Sequence, residues 1–222
     1  MSFFNIYSAP TNAFTKLSEK PKWLLPLIMV VVISILLSLV AIAKTDWEEQ
    51  KAKVREMLEK QNVPQERIEK VMTAMNHKTG LIRGIIAVLI ITPLGILIFT
   101  TILNLLIPLL GTGGSFKKTF AVTTNSALIR IPAAIVKASL MFIRDSADIK
   151  TSLLLFFPKM TNKGFLYGLF SRIDFFTIWE LILVALGLKI LFNISGKKTY
   201  YVVFGLWLIY IIISSLFPTR MG

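Results

Sequence analysis

Residues 23–43 read WLLPLIMVVVISILLSLVAIA, twenty-one residues without a charge. A bilayer's hydrocarbon core is ~30 Å thick and an α-helix crosses it with ~20 apolar residues, so this run predicts a membrane span. It exceeds the ~7 to 15 apolar residues of a secretory signal, so Ala41-Ile42-Ala43 before Lys44 is read as a helix end and not as a cleavage site. The rest of the chain follows the same logic. Of 222 residues 55% are hydrophobic and only 17% charged, against roughly a quarter charged in soluble domains. Lys and Arg number 25 against 12 acids, a net +13. Beside such apolar runs that charge points to anionic lipid and not to nucleic acid. There is no cysteine, which excludes disulfides, thiolate catalysis and Cys-ligated metals.

Working outward, residues 1–22 form a short polar segment on the cytoplasmic side. Residues 44–80 mix acids and bases with apolar residues at helical spacing. Thr45 and Glu48 suggest a capping box, and Val54 and Leu58 lie on one stripe. Asn62-Val63-Pro64 breaks the run, and Ile68, Val71, Met72 and Met75 make a second stripe. This predicts an extracytoplasmic helical hairpin that closes on itself or docks a partner. Residues 81–110 form a second span, long enough to tilt or break near Pro93 or Pro108. A less apolar third span covers 116–143. An interfacial connection covers 144–172, with LLLFFP at 153–158 and GFLYGLF at 164–170 too short to cross. Spans four and five cover 173–193 and 199–218, joined by a short turn that makes them antiparallel neighbours. The expected fold is therefore all-α, a polytopic membrane protein of five transmembrane helices.

Orientation rests on the short loops. With the N-terminus in the cytoplasm, that side holds Lys16, Lys20, Lys22, Lys117, Lys118, Lys189, Lys197 and Lys198 against Glu19. The other side holds more bases in total, but they are mixed with acids as in a folded element, and the positive-inside rule is strongest for short loops beside spans.

Four segments carry a family likeness: SAPTNAFTKLSEKPKWLLPL at 8–27, GTGGSFKKTFAVTTNSALIRIP at 111–132, TSLLLFFP at 151–158 and IDFFTIWELILVALGL at 173–188. Together they resemble the Yip domain family of Ypt/Rab-interacting membrane proteins. The most specific residues are Asp174, Phe175 and Trp179, followed by Gly187. The resemblance implies five helical spans and a cytoplasmic N-terminus. Eukaryotic relatives associate with Rab-type GTPases in early secretory membranes. Here only about 22 residues precede the first span, so the chain is similar to prokaryotic members of an inner membrane, and the GTPase role is not carried over.

Little catalytic chemistry is on offer, and no enzyme activity, metal or cofactor is expected. Gly111-Thr112-Gly113-Gly114-Ser115 lacks phosphate-loop spacing and reads as a turn. His77 is the single histidine, too few for a His metal site. Trp179, Trp207, Tyr200 and Tyr201 read as interface anchors or packing. The unusual feature is intramembrane charge: Arg130, Lys137 and Glu180 lie inside apolar runs. Glu180 comes ~9 Å in from Asp174, and Lys137 ~10 Å in from Arg144, matched depths that predict a Lys137–Glu180 pair, with Arg130 on the Lys137 face. Two functions compete. One is a non-enzymatic protein that organises or assists other membrane components, such as an accessory subunit of an export system, with other membrane proteins or a second copy as partners. The other is a small transporter or channel built on the three charges.

Overall fold

The computed structural model describes residues 4–158, 160 and 164–216. It is all-helical, with five helical segments long and apolar enough to cross a membrane: Leu24–Ala43, His77–Leu110, Phe116–Arg144, Phe175–Phe192 and Gly196–Leu216. In chain order the helices are α1 (Asn5–Ser8), α2 (Pro10–Glu19), α3 (Leu24–Ala43), α4 (Trp47–Lys60), α5 (Gln65–Ala74), α6 (His77–Leu106), α7 (Phe116–Ser126), α8 (Arg130–Arg144), α9 (Phe165–Arg172), α10 (Phe175–Phe192) and α11 (Gly196–Leu216). The chain divides into two compact units. One comprises Met1–Val30, Pro93–Ala133 and Lys150–Gly222, the other Val31–Thr92 and Ala134–Ile149.

In the first unit, α10 packs against α11, α7 and, unexpectedly, α2. Residues 1–22 read as a polar segment, yet they contain an amphipathic helix. Pro10, with its φ already helical, opens α2, and Ala13, Phe14 and Leu17 then fall on one face and are wholly buried, as is Ile6 of α1. The third span is not one helix. It is α7, a 3₁₀ turn over Ala127–Ile129, then α8. Pro132 weakens the helical bonding at this break: lacking an N–H, it cannot bond the carbonyl four residues back, at Leu128. The Tyr7 hydroxyl donates to that oxygen at 2.8 Å. The second span runs unbroken through Pro93 and tightens into a 3₁₀ turn at Ile107–Leu110, where Pro108 stands; Gly111, at φ 88°, closes it in the left-handed region that glycine adopts without strain.

In the second unit, α4 and α5 pack together between the first and second long helices. The cap of α4 is Asp46 and not Thr45. The Asp46 carboxylate accepts from the Glu48 and Glu49 amides, both at 3.0 Å, where a full negative charge also suits the helix dipole. Thr45 instead donates to the Ala41 carbonyl at the end of α3. Asn62, at φ 55°, turns the chain, and Ile68 and Met72 are buried in the hairpin while Val54, Leu58 and Met75 are half-buried. Arg55 and Glu69 pair across the two helices at 2.9 Å. Val71 departs from its expected burial. At 39% exposed it lies on the outer edge of the α5 stripe. Lys44 pairs with Asp145 at 2.6 Å, and its carbonyl accepts from Ala147, tying the end of α3 to the end of α8.

Candidate functional site

Helix α10 organises the polar interior of the first unit. Its start is fixed by Asp174, whose Oδ1 caps the Phe176 amide at 2.9 Å and whose Oδ2 accepts from the Thr151 hydroxyl at 2.6 Å. A backbone bridge between Ser152 and Asp174 and a bond from the Leu153 amide to the Ile173 carbonyl hold the 151–157 segment to the same point. Phe175 is exposed and meets Phe176 and Trp179 edge-on, with Trp179 half-buried against the core. At the other end of α10, a Cβ on Gly187 would come within 2.6 Å of Val122 and 2.8 Å of Phe14. The missing side chain is what lets α2 and α7 seat against α10.

Between these ends stands Glu180. Arg130 donates to it through one edge of the guanidinium, Nε to Oε2 at 3.0 Å and Nη2 to Oε1 at 2.8 Å. This fork geometry suits Arg far better than Lys. The expected partner, Lys137, is therefore displaced. Both carboxylate oxygens are taken by Arg130, and Lys137, half-buried on α8, has no ion pair among the described residues. Matched depth along two helices could not reveal this, because depth does not distinguish a single ammonium from a guanidinium that fills both carboxylate oxygens.

More polar groups follow along α7, and each named here joins two segments. Thr119 donates to Asn104 Oδ1 at 3.1 Å, and the Thr100 and Thr123 hydroxyls share a buried bond of 2.6 Å. Asn125 Nδ2 donates to the Lys22 carbonyl at 2.9 Å and to Ala121. Reading the sequence missed this seam. The signal was there in T-x-x-x-T-T-N-S at 119–126, polar residues at helical spacing inside a span. His77 opens α6, exposed, with its ring edge-on to Trp47 at 6.4 Å.

The Yip1 domain matches residues 4–217, nearly the whole chain. The chain belongs to the Yip1 domain family. It is also similar to the membrane protein YknW of Bacillus subtilis (strain 168), 26% identical over 228 residues that cover 100% of this chain and 93% of that protein. No solved structure matches. In this Yip1-family chain, then, the residues that carried the likeness occupy defined places. Asp174 starts α10, Phe175 and Trp179 line its first turns, and Gly187 admits the N-terminal helix.

Proposed function

We propose that this multi-pass membrane protein is a non-enzymatic organiser of other membrane components, with its N-terminus in the cytoplasm of a prokaryote. The observation that carries the reading is the two-bond Arg130–Glu180 pair. Two of the three span charges that a transport path would use, Arg130 and Glu180, are engaged with each other, in a geometry that fastens α8 to α10. The polar groups along α7 follow the same pattern, joining Thr123 to Thr100 and Thr119 to Asn104. Such groups act as cross-links between helices.

Docking then falls to the hairpin. It carries Val71 exposed at the edge of an apolar stripe whose other members, Ile68, Met72 and Met75, are buried or half-buried, an apolar contact open to a partner. An accessory subunit of an export system is one concrete form of this role. Two measurements test it together. Purified protein in liposomes should pass neither ions nor small solutes by itself. A photo-crosslinking residue at Val71 should capture a defined membrane protein, and Val71→Asp should weaken that partner's co-purification. Solute flux that depends on Arg130 and Glu180 would establish the transporter reading instead.

A further inference from the structure

The eight lysines assigned to one side of the membrane are dispersed in sequence, and the first unit brings them to one end of its helices. The Lys22 carbonyl is bonded to Asn125 of α7, and the Trp23 ring stands 5.1 Å from that of Phe120. These contacts lay Lys22 and Trp23 along α7, with Trp23 against Phe120 one turn from the start of α7, where Lys117 and Lys118 lie. Lys118 Nζ in turn stands 6.0 Å over the Phe192 ring at the end of α10. The Lys189 side chain runs along Gly196, with its Cδ 3.4 Å from where a Cβ would be, so the start of α11 with Lys197 and Lys198 joins the same end. Helix α2 completes the group. Its Phe14 is seated at Gly187, its outward face presents Lys16, and Lys20 follows its last turn.

None of these lysines has an ion pair among the described residues. One acid, Glu19, stands among them. Like charges at one end of a unit repel over a screening length of ~8 Å, so the arrangement favours counter-anions. The neighbouring surface says which kind. Each lysine cluster adjoins exposed apolar side chains: Leu24 and Leu25 after Lys22, Phe116 before Lys117, and Tyr201 beyond Lys198. Cations edged by apolar surface at the ends of spans match an amphiphile with an anionic headgroup and acyl chains. A soluble polyanion would use only the lysines.

We propose that this lysine rim binds anionic phospholipid headgroups, and that the bound lipid bridges the α2 lysines to those of α7, α10 and α11, holding the N-terminal segment in its groove. The lipid thus acts as a structural ligand of the closed unit, whatever partner the hairpin engages.

The full-length protein in nanodiscs tests this, using phosphatidylcholine alone or a 3:1 mixture with phosphatidylglycerol. Native mass spectrometry should show retained phosphatidylglycerol, and proteinase K should cut the N-terminal segment more slowly in the mixed discs. Each lysine near an anionic surface is worth about five-fold in binding, so Lys20→Gln/Lys22→Gln/Lys197→Gln/Lys198→Gln should lower retention at least ten-fold and remove the added protection. The matching four Lys→Arg changes should keep both, and Lys60→Gln/Lys70→Gln in the hairpin should behave as wild type. An unchanged lipid preference in the four-Gln variant would overturn the proposal. So would equal protection of the wild type in both discs, or the same protection from inorganic phosphate in phosphatidylcholine discs, which would assign the rim to a free anion.

Discussion

The Arg130–Glu180 pair allows a double-mutant cycle whose outcome differs between partners and bystanders. Glu180 stands five residues into α10, ~7.5 Å from its first residue, and Arg130 lies fourteen residues from either end of the Phe116–Arg144 segment. A charged side chain left alone at a span's centre costs ~2.5–3.5 kcal/mol, and breaking a buried pair by removing one partner costs ~3–5 kcal/mol. Glu180 is 17% exposed and Arg130 41%, so the lower end of that range applies. Glu180→Gln strands a guanidinium that cannot shed its proton, and we expect it to lose ~3 kcal/mol. Arg130→Met leaves a carboxyl, which can exist neutral, and we expect ~2 kcal/mol. The double variant should lie within about 1 kcal/mol of wild type, giving a coupling energy of ~4–5 kcal/mol. Unfolding in mixed micelles, followed by the tryptophan signal, provides the four free energies. Lys137→Met should show no coupling to Glu180→Gln. Additive losses for Arg130 and Glu180, or strong coupling of Lys137 to Glu180, would refute the reasoning and restore the pairing expected from depth alone.

Gly187→Leu should force Phe14 and Val122 apart, destabilise the first unit by ~1–3 kcal/mol and expose residues 4–19 to protease, while membrane insertion stays normal. Tyr7→Phe removes the side-chain donor to the Leu128 carbonyl, and the resulting ~0.5–1.5 kcal/mol loss should be read as faster N-terminal proteolysis at unchanged spectroscopic helix content. Lys44 holds the Asp145 carboxyl below its ordinary range. A depressed folded-state value stabilises above the unfolded value near 4 and is lost as pH falls through the folded one, so Asp145→Asn should flatten the acid limb of the wild-type melting curve. Single cysteines at Ser18 and Lys197 should resist a membrane-impermeant thiol reagent in intact cells while one at Glu59 reacts, and the opposite pattern would reverse the orientation.

The long helices and the hairpin were legible because the bilayer and the 3.6-residue period each impose a pattern that one sequence displays unaided. Intramembrane charge at Arg130 and Glu180 was legible for the same reason, since any ion stands out in an apolar run. What joins them was not. Pairing Glu180 with Lys137 rested on depth alone, and depth does not say which basic side chain of the third span carries the fork that takes both carboxylate oxygens. Burial of α2 was hidden differently. Its polar residues outnumber its apolar ones, and only the groove at Gly187 gives Phe14 somewhere to go. Asp46 was overlooked as a cap because Thr45 and Glu48 fit a familiar spacing, whereas the hydroxyl of Thr45 was already committed to Ala41.

The site that receives α2 has a consequence for biogenesis. Its walls come from Val122 and Gly187, which are made 108 and 173 residues after Phe14. At ~5–20 residues per second a ribosome takes about 10–40 s to get from one side of that contact to the other. Through that interval Ile6, Phe14 and Leu17 have no protein to cover them, and the surface within reach is the membrane itself. An amphipathic α2 can rest on the leaflet as a peripheral helix before it becomes an internal one, and the bond from Tyr7 to the Leu128 carbonyl forms only once the third span has been made.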